Sequence, residues 1–352
     1  MPRFERRLAV RRLPLRHTFR ISRSSREAVH NVFMALSDGQ VTGYGEAAPS
    51  ARYGEDPGAV LDWMDALPLE ALGEAGSPGE LREILDRHNS GRPVYAARVM
   101  AEMAWLDWHA RSEGRSLGRT WSPDHARTPP TSYTIGMGSP EEIRRKVREA
   151  ENAGAPLLKV KLGDAHDEET IRTVRSLTDR PLRVDANEGW GDLDLAHRRI
   201  AFLEGQGVEM VEQPMPAGME EAMRELKAWS PIPLCADESF RGSESLEELA
   251  GSFDVVNIKL MKIGSLLAAR QSLHRAHDLG LKVMIGCMVE SSLAIAAGAA
   301  VALEADYADL DGFLLVEGDP FEGLHLNEDY RIGVGEEAGL GVSPSREAEV
   351  WR

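Results

Sequence analysis

The sequence predicts an α/β fold: a (β/α)8-type TIM barrel with an N-terminal α+β capping domain that the C-terminal tail completes. Three observations predict it. From about Ile135 onward, short apolar segments alternate with amphipathic helical segments, eight times over. Such alternation means parallel strands joined by right-handed crossovers, and eight units suit a closed barrel. The residues before that stretch mix strand patterns with helices, and those after about Pro320 lose the alternation. The expected divisions are 1–125 for the cap, 126–320 for the barrel and 321–352 for a segment returning to the cap.

The elements follow in order. Arg3 to Leu13, Ala28 to Ser37 and Val41 to Glu46 read as strands, with a turn signal at Asp38-Gly39. Helical patterns follow, the longest from Tyr95 to Ser112. The first barrel strand is Ser132 to Ile135. Its helix opens with Ser139 as N-cap, Pro140 at the first position and Glu142 completing a capping box. Ile143, Val147 and Ala150 mark one face, and Gly154 ends it. Further strands are expected at Leu157 to Leu162, Leu182 to Ala186, Val208 to Glu212 and Leu234 to Asp237. The last three are Val255 to Leu260, Val283 to Cys287 and Tyr307 to Asp311. Between them lie helices, one capped by Ser245 with Glu248 three residues later. No Gly-x-Gly-x-x-Gly segment follows the first strand, so a dinucleotide fold lacks its main signal.

A formal net charge of −16 argues against nucleic acid and anionic membranes as partners. No run of about eighteen apolar residues is present, so no membrane span is expected. The arginine-rich start does not read as a secretory signal. The two cysteines, Cys235 and Cys287, lie in apolar segments and are expected as thiols in a reducing, cytoplasmic compartment. The chain has seven lysines against 34 arginines, yet four lysines fall in two clusters, Lys159 with Lys161 and Lys259 with Lys262. Lysine differs from arginine in being able to lose its proton.

In a parallel barrel all strands end on one face, where active sites are built. Lys159 and Lys161, two apart, share one side of the second strand. Asp185, Glu212 and Asp237 end the third, fourth and fifth strands at spacings of 27 and 25 residues. Lys259 lies on the sixth strand, 22 residues later, and Asp309 and Asp311 on the eighth. Three carboxylates at one mouth repel unless a cation joins them, and oxygen ligands suit one Mg²⁺ per site. Such a metal would stabilise the enediolate formed when a proton leaves the carbon next to a carboxylate. A lysine whose pKa falls toward neutrality would serve as base. Lys161 and Lys259 are the candidates for removing and returning the proton on opposite faces, which inverts a stereocentre. If only one acts on carbon, elimination or cycloisomerisation would result instead.

Lys159-Val160-Lys161, Asp185-Ala186-Asn187, Glu212-Gln213-Pro214, Asp237-Glu238-Ser239 and Asn257-Ile258-Lys259-Leu260 resemble the ordered motifs of the enolase superfamily, muconate-lactonizing subgroup. The resemblance implies metal ligands at Asp185, Glu212 and Asp237, acid/base lysines at Lys161 and Lys259, and Lys159 polarising the substrate carboxylate. Asp309-Leu310-Asp311 is similar to the Asp-x-Asp of dipeptide epimerases such as L-Ala-D/L-Glu epimerase. It implies that this pair binds the free ammonium of a dipeptide. Ile263-Gly264-Ser265 departs from the pattern, standing where many relatives have two glycines. Cys287 falls where the family has a small residue lining the pocket. Asn187, Glu238 and Glu290 are expected to support the residues that touch substrate.

The resemblance also implies that Arg20 to Arg26 and Ser50 to Gly54 set side-chain specificity. Arg23 is the candidate for receiving an acidic side chain. Other activities of the subgroup stay open at this point: N-acyl amino acid racemisation, cycloisomerisation and o-succinylbenzoate synthesis. A Schiff-base lyase is the more remote alternative. The expected partner is a small molecule, a dipeptide, and the family's frequent self-assembly leaves a homo-oligomer open.

Overall fold

The computed structural model describes residues 2–242, 244–345 and 351 of the 352-residue chain. Three antiparallel strands open it: β1 (Glu5–Ile21), β2 (Ser24–Ser37) and β3 (Thr42–Ala47), in that order across the sheet. β1 runs well beyond the expected Leu13. A register shift between Pro14 and Phe19 absorbs the proline, and pairing resumes at Phe19↔Arg26 and Ile21↔Ser24. The segment Arg20 to Arg26, expected as a loop, is therefore a hairpin tip. Its arginines hid the strand alternation.

Four helices follow: α1 (Pro57–Ala66), α2 (Leu69–Glu74), α3 (Pro78–Asn89) and α4 (Tyr95–Ser112). α4 lies against β3 at close range. A Cβ at Gly43 would stand 2.2 Å from the Ala104 carbonyl, and one at Gly45 2.1 Å from that of Met100. Only glycine fits there. A short helix, α5 (Leu117–Trp121), leads to the barrel.

The barrel alternates without a break: β4 (Tyr133–Ile135), α6 (Pro140–Asn152), β5 (Leu158–Lys161), α7 (Asp167–Arg175), β6 (Leu182–Asp185) and α8 (Leu193–Glu204). It continues through β7 (Val208–Glu212), α9 (Glu220–Trp229), β8 (Leu234–Ala236), α10 (Leu246–Ala250) and β9 (Val255–Lys259). Next come α11 (Leu260–Ile263), α12 (Leu266–Asp278), β10 (Lys282–Gly286), α13 (Ser292–Ala302), β11 (Tyr307–Asp309) and α14 (Gly312–Leu315). The eight strands are parallel and in chain order. Ser139 and Glu142 form the capping box that starts α6. The single turn α11 has no counterpart in the sequence reading. It is closed by Gly264 at φ 73°.

The ring closes where β4 meets β11. A lone parallel bridge joins Thr131 to Ala308, and the Leu310 amide donates to Thr131 Oγ1 at 2.7 Å. Met210, Cys235, Val255 and Met284 form a small separate apolar cluster.

The last described segment forms two short hairpin pairs, β12 (Phe321–Glu322) with β15 (Ser343–Pro344) and β13 (His325–Leu326) with β14 (Ile332–Gly333). Phe321 stacks on Phe33 with centroids 5.8 Å apart, and the Leu340 amide donates to Asp107 of α4 at 2.7 Å. Among the described residues no helix is long and apolar enough to cross a membrane. Cys235 is buried and Cys287 half-buried, and both are free thiols.

Candidate active site

Asp185 and Glu212 are the last residues of β6 and β7, and Asp237 directly follows β8. Neighbouring parallel strands in register bring their carboxyl oxygens within 4.8 Å of one another, all buried. Each group is held by several donors. Asp185 accepts from the Asn187 amide at 2.9 Å, and Glu212 accepts from Asn257 Nδ2 at 2.8 Å. Gln213 ties two of the strand ends together. Its side-chain oxygen accepts from the amides of Asp237 (2.9 Å) and Ser239 (3.0 Å), and its nitrogen donates to the Met215 carbonyl at 2.9 Å. The backbone pays for this sharp turning: Asn187 (φ 45°), Glu188 (φ 67°) and Gln213 (φ 36°) all lie in the left-handed region that non-glycine residues rarely adopt.

Lysines surround the triad. Lys161 Nζ donates to Asp185 Oδ2 at 2.6 Å, and Lys259 Nζ donates to Asp237 Oδ2 at 2.8 Å. Lys159 Nζ lies 2.6 Å from Glu212, 2.6 Å from Asp309 and 3.2 Å from Asp185. Lys262 donates to Asp237 Oδ1 at 2.6 Å and also to its backbone carbonyl. β5 and β9 are four places apart in the ring of eight, so Lys161 and Lys259 approach from opposite sides.

Burial and then the charge of Asp185 push Glu212 up to about 7. Burial acts the same way on Asp185 and Asp237, but lysines outweigh it and hold both low, Asp237 well below the usual range. Burial opposes charge on Lys159 and Lys259, yet the surrounding carboxylates hold both well above the ordinary amine value. A divalent cation on the same oxygens would cancel the attraction that keeps these two ammoniums protonated, and it is with that cation present that the sequence analysis expects a lysine base. The donor set fits such an ion. It is all oxygen, from three carboxylates, and Glu212 carries the strain of their crowding.

The triad opens into a cavity of about 400 Å³ bounded by strand ends on one side and capping strands on the other. Lys159, Lys161, Asp237, Lys259, Cys287, Asp309 and Asp311 line it. Asp309 accepts from Ser132 Oγ at 2.5 Å and from Lys159, and Asp311 accepts from the Thr134 amide at 2.6 Å. Burial and the charge of Asp309 push Asp311 up to about 6.

Arg23, at the hairpin tip, also lines the cavity. Its guanidinium donates to Glu238 Oε1 at 2.6 Å and to the Asn187 carbonyl at 2.8 Å, with Glu188 at 3.5 Å. Asn187 and Glu238, expected behind the contact surface, line the cavity themselves, because the left-handed turn after Asp185 carries this loop toward the hairpin. Glu290 does not line it. It is buried behind the wall, accepts from the Met288 amide at 2.7 Å, and burial with the nearby Glu46 pushes it up to about 8.

The sequence reading missed most of an apolar wall, Leu15, Phe19, Val29 and Leu315, and the polar Asn31, whereas Ile21 and Tyr53, which also line the cavity, fall within the expected segments Arg20 to Arg26 and Ser50 to Gly54. A signal for two of them was available. Val29 and Asn31 stand two apart on one strand and so share a face.

Residues 142–348 match the family described as Enolase C-terminal domain-like. The chain is 37% identical over 332 residues to an L-Ala-D/L-Glu epimerase of Bacteroides thetaiotaomicron, covering 94% of this chain and 85% of that protein. Among solved structures it is similar to an enolase family member of Agrobacterium tumefaciens with homology to dipeptide epimerases, holding sodium and L-Ala-L-Glu. That match has 32% identity and a TM-score of 0.83, covering 99% of this chain and 100% of the other. It is similar also to a dipeptide epimerase of Cytophaga hutchinsonii complexed with Mg and D-Ala-L-Val, with 26% identity and a TM-score of 0.89, over 97% and 96% of the chains. On these matches, which span nearly its whole length, the chain belongs to the enolase superfamily, in the group that contains these dipeptide epimerases.

Proposed function

We propose that this protein is a Mg²⁺-dependent dipeptide epimerase that inverts the α-carbon of the C-terminal residue. The observation that carries the reading is the pairing of each outer carboxylate of the triad with a different lysine, Lys161 on Asp185 and Lys259 on Asp237, from opposite sides of the ring. Asp185, Glu212 and Asp237 hold the ion. Bound there, Mg²⁺ supplies fixed positive charge where the substrate carboxylate gains negative charge. Lys159 adds a hydrogen bond to that carboxylate. Lys161 or Lys259 takes the α-proton from one face, and the other lysine returns a proton to the opposite face. The C–H bond breaks and re-forms, and no other atom leaves. Asp309 and Asp311 receive the ammonium of the N-terminal residue, which selects a dipeptide over an acylated amino acid. Arg23 receives an acidic side chain by exchanging its looser partner, Glu188. The chain divides as 1–125, 126–320 and 321–352, with specificity residues in the first part and chemistry in the second.

The names of the relatives make L-Ala-L-Glu the first substrate to try. Incubated with enzyme and Mg²⁺ in deuterated water, it should take up deuterium at the glutamate α-carbon and yield the L-Ala-D-Glu signal by NMR. Absence of uptake across a panel of L,L-dipeptides would reject the proposal.

A further inference from the structure

The cavity wall formed by Cys287, Met288 and Val289 belongs to the loop between β10 and α13, and that loop is held from the capping sheet. The holding group is Glu46 of β3, a fully buried carboxylate. One of its oxygens accepts from Asn31 Nδ2 at 2.7 Å and from the Ser291 amide at 3.0 Å. The other accepts from Ser291 Oγ at 2.5 Å and from the Ala294 amide at 3.2 Å. Asn31 also donates to the Val289 carbonyl at 3.1 Å. The loop is thus pinned to one carboxylate at two points, directly at Ser291 and through Asn31 at Val289.

Four donors hydrogen-bond to Glu46, while burial pushes its carboxyl up to about 6. The start of α13 supplies part of the matching positive potential. The helix itself has a second anchor: Asp319 accepts from both the amide and the hydroxyl of Ser292, at 2.9 and 2.7 Å. Loss of Glu46 would therefore loosen the loop more than the helix.

We propose that Glu46 is a positioning residue for substrate binding, which fixes the Cys287–Val289 wall of the cavity without touching the substrate. The proposal rests on the dipeptide reading for its substrate, and its effect is on KM. A displaced wall weakens contacts made equally in the ground and transition states.

The test is Glu46→Gln, which keeps the volume but turns an amide toward groups that all donate. Two measurements go together. Amide hydrogen exchange, read by mass spectrometry, should rise at least tenfold over 288–294 and stay unchanged over Val255–Lys259. The KM for L-Ala-L-Glu should rise about tenfold, with kcat within threefold of wild type. Ser291→Ala, which removes one donor and disturbs the fold less, should move both in the same direction by a smaller factor. A purely structural role would lower kcat through loss of folded enzyme at unchanged KM, and would overturn the proposal. So would unchanged exchange over 288–294. If the wild-type enzyme exchanges no dipeptide, the functional reading fails instead, and hydrogen exchange still decides whether Glu46 holds the wall.

Discussion

The mouth of the barrel and the rim that covers it are both rich in charge, but they hold it differently. At the mouth, Lys159, Lys161, Lys259 and Lys262 meet Asp185, Glu212, Asp237 and Asp309, and all eight are buried. Each has more than one partner or a partner fixed at a strand end. At the rim, Arg23 and Arg52 share Glu188, and Arg52 keeps about two-fifths of its side chain in water. Buried ions are expensive to leave unpaired, whereas exposed pairs exchange readily with solvent. Under the proposed function, bond-making falls to the part of the site that cannot rearrange and side-chain choice to the part that can.

Variants should separate the two regions by size of effect. Lys161→Ala or Lys259→Ala should each lower epimerisation by at least about 10²–10⁴-fold, the range for loss of a positioned acid or base. Each variant should also block α-deuterium exchange from only one of the two epimers. Equal loss from both epimers would break the two-sided arrangement. Removal of the metal comes next. A chelator should abolish turnover and added Mg²⁺ should restore it, as followed by NMR.

A smaller effect is expected from Asp311, whose pKa is raised to about 6. Above that pH the carboxyl is an anion and attracts the substrate ammonium; below it the group is neutral and the attraction is lost. The KM for L-Ala-L-Glu should therefore rise as pH falls through about 6, and Asp311→Asn should show a high KM with that step removed. An N-acetylated substrate preferred by both enzymes would point to amino acid racemisation instead. At the rim, Arg23→Ala should raise the KM for L-Ala-L-Glu about tenfold and that for L-Ala-L-Leu by less than threefold. The smallest change belongs to Arg52→Ala. Thermal melting should show under about 1 kcal/mol, as for exposed ion pairs.

The same contrast explains what the sequence disclosed. The mouth was legible because a parallel barrel turns position in the chain into position in space. One polar residue at the end of each strand, one βα unit apart, must arrive on a common face, as Asp185, Glu212 and Asp237 do. The α6 capping box and the Tyr95–Ser112 helix were legible from local chemistry alone. The rim was not. Phe19 reaches the cavity from a β1 that a register shift past Pro14 prolongs, and nothing local announces that shift. Glu46 carries no motif that marks it as a support for a loop more than two hundred residues away. Its partners are brought to it by tertiary packing. α11 escaped notice because a four-residue turn is too short for periodicity to register.

Barrel closure has a practical consequence. The seam between β4 and β11 rests on one backbone bridge and a few side-chain contacts, and those contacts include Ser132 on Asp309 and the Thr134 amide on Asp311. The weakest joint in the cylinder is also where the proposed ammonium pair is aimed. Breathing of the seam on warming would scatter those two aspartates while the three strands that carry the carboxylate triad, paired on both edges, stay in place. Heat would thus blunt the enzyme's discrimination among substrates at temperatures where proton exchange at carbon still proceeds.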